Sequence, residues 1–431
     1  MAAAGARGPA GHGAAVPVTD DGSMTQTSRD LDITLYGATG FVGRLVAEHL
    51  AATAPEGVRV GLAGRSLDRL AQVRATLGAR AADWPLVRAD ATDEVSLRAM
   101  AARSAVVVST VGPYQRYGVP LVVACAEEGT DYADLTGEVL FVREAIERVH
   151  GTARGTGARI VVSCGFDSVP SDLGVQLLHR AAQADGAGGL TDTTLWVRRL
   201  RGGVSGGTID SLRAQLERMR QDPSLRRVVL DPEALSGGAT GAPGQRDHWR
   251  PFVEEASGRW AAPFFMGPYN TRVVRRSHAL TEGGYGRRFR YRELVPTGRG
   301  AKGALRAQAL VGGLGALMGS LALPVVGRVV DRLLPAPGEG PDRARREAGS
   351  FRTETVTTTE DGTRYAATVA AQGDPGYAAT SVMLGQAALT LLATRGSGPG
   401  GVLTPAVALG DALVEALGGQ GFTLDVRRLD A

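Results

Sequence analysis

The sequence predicts an α/β protein of two domains, a doubly wound parallel sheet followed by an α+β domain on a mainly antiparallel sheet. Three observations predict it. From residue 31 to about 163, apolar strand-like runs alternate with stretches at helical spacing, the pattern of parallel strands joined by right-handed helical crossovers. A turn with glycines three apart, Gly37, Gly40 and Gly43, separates the first strand from the first helix. Beyond Ser171 strands begin to follow one another, which suits a second, antiparallel sheet, and 431 residues exceed a single domain of roughly 100–200.

Asp32 to Tyr36 reads as the first strand, and Phe41 to Ala52 as a helix with Val42, Leu45, Val46 and Leu50 on one face. Val58 to Ala63 is the second strand, and Ser66 caps a helix bearing Leu67, Leu70, Val73 and Leu77. Leu86 to Ala89 is the third. Ala105 to Val111, with three valines in a row, is a fourth strand buried on both faces. A helix from Val119 to Glu128 accepts Pro120 in its first turn. Thr130 to Asp134 and Ile160 to Ser163 are the fifth and sixth strands, joined by a helix from Phe141 to about Arg154. A helix follows from Ser171 to about Ala182. Thr193 to Arg201 alternates like a half-exposed strand, and Phe351 to Thr359 with Arg364 to Ala371 form a hairpin around Asp361-Gly362. Ser381 to Thr394 and Pro405 to Leu417 read as helices, and Phe422 to Val426 as the last strand.

Composition narrows the function. The net charge of +4 is spread over scattered arginines, with no basic block interleaved with aromatics, so no nucleic-acid partner is expected. Two cysteines, Cys125 and Cys164, exclude a disulfide framework and read as small buried residues. No histidine pair has metal-ligand spacing, so no metal is expected. Residues 1–28 lack the apolar core of a secretory signal; they read as a disordered tail or as an over-long start ahead of Met24, with the cytoplasm as the expected location. Ala307 to Gly327 holds no charge and is bounded by Arg306 and Arg328. Three readings stand for it: a buried or substrate-covering helix or hairpin, an interfacial membrane contact, and a true span.

The chemistry begins at Gly37-Ala38-Thr39-Gly40-Phe41-Val42-Gly43. Gly37 allows the tight turn, Gly40 lets the backbone approach a pyrophosphate, and Gly43 lets the helix pack on the strand, as in a Rossmann-type dinucleotide site. The second strand ends in Gly64-Arg65-Ser66, where an NAD enzyme places a carboxylate for the ribose 2′-hydroxyl. Arg65 and Ser66 suit a 2′-phosphate instead, which selects NADP(H), although a solvated surface arginine is the plainer alternative. Asp90 is placed to reach the adenine or to cap the next helix. Thr110, Val111, Gly112 and Pro113 belong beside the inner ribose and nicotinamide, with Tyr114, Gln115, Arg116 and Tyr117 near the reacting end. The loop Ser163 to Ser171 lies at the same carboxyl edge, where Asp167 either works on substrate or closes a turn. Neither a G-x-S-x-G elbow nor a Tyr-x-x-x-Lys pair is present.

These motifs, with Val111-Gly112-Pro113-Tyr114 and Gly118, Asp131 to Glu138, Gly165 to Asp172, Pro337 to Pro341, Gly373 to Tyr377, Gly400 to Ala406 and Gly410-Asp411, resemble the saccharopine dehydrogenase-like reductases. The likeness runs from Leu31 to Val426 and is nearest to the trans-acting enoyl reductase branch. The resemblance implies an NADP-binding Rossmann domain, a second domain facing its crevice, and hydride transfer to an activated double bond. In the enoyl branch this is the C=C of an acyl chain made by a separate enzyme of polyketide or lipid synthesis; in saccharopine formation it is an imine. The expected substrate is a small molecule or a lipid acyl group on a carrier, with Tyr114 the first candidate proton donor and Asp167 the second. Arg272, Arg275, Arg276, Arg287 and Arg288 read as solvated strand faces, which weighs against an amino-acid substrate. An NADP-binding lipid-surface adaptor is the non-catalytic rival, and homodimerisation stays open. The expected division is a tail at 1–28, the Rossmann domain at 29–172, the second domain at 173–374, and helices at 375–431 that return to the first domain.

Overall fold

Strand β1 (Leu31–Tyr36) is flanked in parallel by β2 (Val60–Gly64) and by β4 (Ser104–Ser109). β3 (Leu86–Arg88) lies outside β2, while β5 (Asp131–Asp134) and β6 (Arg159–Val161) continue beyond β4. The joining helices include α1 (Phe41–Thr53), α2 (Leu67–Thr76), α3 (Glu94–Arg103), α4 (Tyr114–Tyr117), α5 (Val119–Glu127) and α6 (Val139–Thr156). Val106, Val107 and Val108 are fully buried, as a central strand covered on both faces requires. This computed structural model describes residues 29–203, 206–237, 245–255, 257–281, 284–322 and 340–429. The tail at 1–28, the choice between Met1 and Met24, residues 323–327 of the apolar segment and Pro337 to Glu339 lie outside the described residues.

A seventh parallel strand, β13 (Gly401–Leu403), pairs with β6 from the far end of the chain and was not foreseen, because three residues carry no periodicity. The helix Thr380–Ala393 packs on α1 and on β4 and β5. Two expected strands end two residues early. β4 stops at Ser109, where Thr110 turns to bond the glycine loop, and β6 stops at Val161, ahead of Ser163 with its positive φ of 67°.

The second sheet is mixed. Its order is β14 (Thr423–Arg428), β12 (Arg364–Gln372), β11 (Ser350–Thr359), β7 (Leu190–Arg201), β10 (Arg290–Gly298), β9 (Arg259–Pro263) and β8 (Phe252–Glu254). Every neighbouring pair is antiparallel except β7 with β10. α7 (Val169–Ala184) leaves the carboxyl edge of the first sheet and packs on β7, β11 and β12, so one apolar core runs through both sheets.

Helices of this half that the sequence pattern did not signal include α8 (Gly206–Gln221), α9 (Leu225–Leu230) and α10 (Gly267–Leu280). α10 also corrects an expectation. Arg272, Arg275 and Arg276 are on no strand and in no solvent; they are 0%, 1% and 4% exposed. Arg272 pairs with Asp247 at 2.8 Å, Arg275 donates to Gln245 Oε1 and the Pro232 carbonyl, and Arg276 donates to the carbonyls of Leu235 and Val402. Carbonyl and carboxylate oxygens accept from most of their N–H groups, which offsets the burial, while the Nε of Arg272 and of Arg276 is buried with no partner among the described residues.

The apolar segment forms the distal part of α11 (Gly300–Ala322). Within the segment Ala307 is buried but Leu310 is 50% exposed, so its described part is a helix largely uncovered by this chain; it is not the buried element, and the substrate-covering and membrane-contact readings stand as proposals. Among the described residues the one helical stretch long and apolar enough to cross a membrane is Pro375–Ala393, and it is 67% buried, as a core helix is.

Candidate active site

The turn after β1 is built for close approach. Gly37 sits at φ +93°, and a Cβ on Gly43 would stand 2.1 Å from the Gly37 carbonyl oxygen, so only glycine lets α1 lie this near the strand. Gly40 caps α1 with backbone alone; among the described residues no side chain bonds the first-turn N–H groups, and the first turn itself holds no acid. The positive end of α1 is therefore open to an anion. Ala38 is buried, Thr39, Phe41 and Val42 are half-buried, and Thr110 Oγ1 donates to the Gly37 carbonyl at 3.2 Å with Val111 packed beside it.

At the end of β2, Gly64 is buried and Arg65 exposed, and the Arg65 guanidinium makes no hydrogen bond or ion pair among the described residues. Ser66 caps α2 by accepting from Arg69 N. Asp90 accepts from the N–H and hydroxyl of Thr92, while the cap of α3 is Asp93 and not Asp90. Tyr36, Arg65 and Asp90 share a neighbourhood: burial and then the Asp90 charge push the Tyr36 hydroxyl up to about 12, with Arg65 opposing. The residues fit the phosphorylated dinucleotide: an uncapped helix end for the pyrophosphate and an unspent guanidinium beyond β2 for the 2′-phosphate.

The hydride end needs a correction. Gly112 is exposed and Pro113 leads into α4, but Tyr114, the first candidate proton donor, is 5% exposed and packed on Phe141. Its hydroxyl donates to the Ser109 carbonyl at 3.0 Å and accepts from Leu135 N, so its proton is spent inside the core. Burial drives that hydroxyl well above its ordinary range. Tyr114 holds the loop in shape. Glu138, which the sequence reading did not single out, fixes the same loop: its carboxylate accepts from Tyr114 N at 2.8 Å, Gln115 N at 2.7 Å and Ser211 Oγ at 2.6 Å.

Asp167 is different. It is half-buried, accepts no hydrogen bond among the described residues, and burial pushes it up to about 6. Beside it Ser163 Oγ and Tyr269 Oη lie 2.5 Å apart, and the Asp167 charge is one of those that raise the Tyr269 hydroxyl, after burial. Among described residues Ser163 is the one non-glycine residue at positive φ. Its N–H is held by Asp134 Oδ1 at 2.9 Å, a buried carboxyl pushed up to about 7. Backbone of this kind concentrates at functional sites, which makes this loop a candidate one. Asn270 extends the polar wall, donating to Ser171 Oγ at 3.3 Å and Glu293 Oε2 at 2.9 Å. Tyr269, Asn270 and Glu293 come from the second half of the chain, where no motif signalled them.

The comparisons with known proteins agree with this geometry. Residues 33–161 match the model of the saccharopine dehydrogenase NADP-binding domain. A Mycobacterium tuberculosis relative provisionally named trans-acting enoyl reductase is 50% identical over 94% of this chain and 100% of its own. Trans-acting enoyl reductases of Mycobacterium bovis and Mycobacterium ulcerans are 46% and 44% identical over the same shares. The chain belongs to the trans-acting enoyl reductase family. It is an NADP(H)-dependent oxidoreductase, and its first domain is of the Rossmann type. Yeast saccharopine dehydrogenase (L-Glu forming) shares the fold, with a TM-score of 0.50, 16% identity, and coverage of 93% of this chain and all of its own. The imine-reducing and adaptor readings gain no support: the relatives are enoyl reductases by name, and the α10 arginines are consumed by the protein's own oxygens.

Proposed function

We propose that this protein reduces the C=C of an α,β-unsaturated acyl thioester that a separate carrier brings to it. The carrying observation is identity of 44–50% with enoyl reductases along nearly the whole chain. The turn at Gly37 to Gly43, Arg65 and the Thr110 to Pro113 loop would hold NADPH, which when bound supplies the hydride to the β carbon. Asp167 donates the proton to the α carbon. Burial pushes its carboxyl up to about 6, which favours the acid form near neutral pH more than in an ordinary carboxyl. The Ser163–Tyr269 hydroxyl pair keeps the polar wall beside it fixed.

NADPH consumption with a crotonyl thioester, against lysine plus 2-oxoglutarate, tests the reading. Deuterium from labelled NADPH should appear on the β carbon; oxidation with the amino-acid pair alone would overturn it.

A second reading concerns location: the protein works in the cytoplasm at a membrane surface. Residues 307–320 are uncharged, Leu305 and Leu310 stand in solvent, and at the near end of α11 the head groups of Lys302 and Arg306 have no partner among the described residues. An apolar helix with basic residues at one end suits an anionic lipid surface. Flotation with anionic vesicles should carry the whole protein and lose a form with Leu305, Leu310 and Leu314 changed to Gln. A doubled mass without vesicle binding would make the helix a homodimer contact instead.

A further inference from the structure

Between α6 and the α8–α9 pair lies a cavity of about 630 Å³. Gln115 lines it, from the loop that Glu138 fixes at the carboxyl end of β4, the loop that would run beside the nicotinamide. We propose that this cleft holds the phosphopantetheine arm of the acyl thioester, with the phosphate on Arg218 and Arg227. The inference rests on the enoyl-thioester reading and names how the carrier is recognised.

Three features match the three chemistries of such an arm. The first is charge. Two acids of the cleft are already paired, Glu147 with Arg143 and Glu144 with Arg148 and Gln115 Nε2, while Asp231 Oδ1 accepts from Glu233 N. In the same cleft, Asp231 lying one turn beyond Arg227, the guanidinium groups of Arg218 and Arg227 form no hydrogen bond or ion pair among the described residues; the exposed Asp222 charge is felt near Arg218. Two unspent guanidinium groups at one mouth suit a phosphate ester. The second is an amide site. Gln115 Oε1 is buried and meets no donor among the described residues while Glu144 holds its Nε2, so the acceptor has a fixed direction. A pantetheine arm carries two amide N–H groups, and a buried acceptor left unmade is costly. The third is apolar wall: Leu140 is buried, and Leu225 and Val228 are half-buried, along the same cavity, where the arm's hydrocarbon links run.

The test uses one enoyl acid on four handles: N-acetylcysteamine, phosphopantetheine, coenzyme A and an acyl carrier domain. Substituting Arg218→Glu and Arg227→Glu together should raise KM about tenfold or more for the three phosphate-bearing handles. kcat, the N-acetylcysteamine KM and the Kd for NADPH should stay unchanged, the last reporting that the fold is intact. Coenzyme A and carrier arms then show which source the protein prefers. An equal effect on all four handles, or none, overturns the proposal. An effect on the carrier alone also overturns it, since the arginines would then meet the carrier's protein surface. If the unaltered protein reduces no thioester, the enoyl reading itself fails, and calorimetry with free phosphopantetheine decides the cleft separately: binding lost in the double variant upholds it, and no binding removes it.

Discussion

Asp167 carries a burial cost that nothing offsets: its carboxyl is half-buried, and no donor among the described residues meets it. Burial pushes it up to about 6, so the folded protein holds this proton more tightly than the unfolded chain does. The contribution to stability is therefore fully present at low pH and is lost as pH rises through about 6. Asp167→Asn should raise thermal stability at pH 8 by about 1–3 kcal/mol, with the gain shrinking toward pH 5. The same change should cut kcat by about 10²-fold or more and remove the fall of kcat above pH 6. A variant that loses stability at pH 8 and keeps its turnover would return Asp167 to a turn residue. Arg65 makes a second test at this scale. Arg65→Ala should weaken NADPH binding about tenfold or more while leaving NADH nearly untouched, read as two Kd values by fluorescence titration. The positions of Arg65 and Asp167 were legible because each follows a strand end of the first sheet; their roles rest on the tests above. Ser163 and Tyr269 were not legible as a pair. Their contact joins residues far apart in sequence, and Ser163's positive φ comes from the fold around it rather than from its type.

At the scale of elements, the first sheet could be read because its strands are apolar runs and its helices one-sided. The second was harder. Its helix α10 turns Arg272, Arg275 and Arg276 inward against carbonyls, so a spacing that looks solvated is buried. Tyr114 misled for the opposite reason: its position after β4 is right for catalysis, but its ring fills the core beside Phe141. The α1 turn is the element whose geometry predicts most sharply. A Gly43→Ala methyl would stand 2.1 Å from the Gly37 carbonyl oxygen, and backbone cannot give way as a side chain can. The variant should lose about 1–3 kcal/mol of stability as α1 shifts outward. Its Kd for NADPH should rise with that shift, because the helix end moves off the phosphates. Calorimetric melting and NADPH titration on one preparation check both; a variant of unchanged stability would mean that α1 packs more loosely than the turn indicates.

Across the whole molecule, the two ends of the chain are tied by buried arginines. Arg159, 2% exposed on β6, pairs with Asp131 on β5 and donates to the Leu391 carbonyl and, at 2.8 Å, to Thr394 Oγ1 of the late helix. Arg276 does the same from the second domain to the Val402 carbonyl on β13. A buried pair adds little net stability against an apolar replacement, yet breaking it leaves one charge alone in a dry site. Arg159→Met should therefore destabilise the protein by about 3–5 kcal/mol. Asp131→Leu added to Arg159→Met should restore much of that loss, since both charges are then gone. The tie to Leu391 and Thr394 gives a second readout. In Arg159→Met, amide exchange of the Thr380–Ala393 helix should quicken before that of β4, because the late helix loses two bonds to the sheet and the central strand loses none. Equal stability of the single and double variants, with exchange unchanged in the late helix, would show that Arg159 anchors neither the charge nor the chain end.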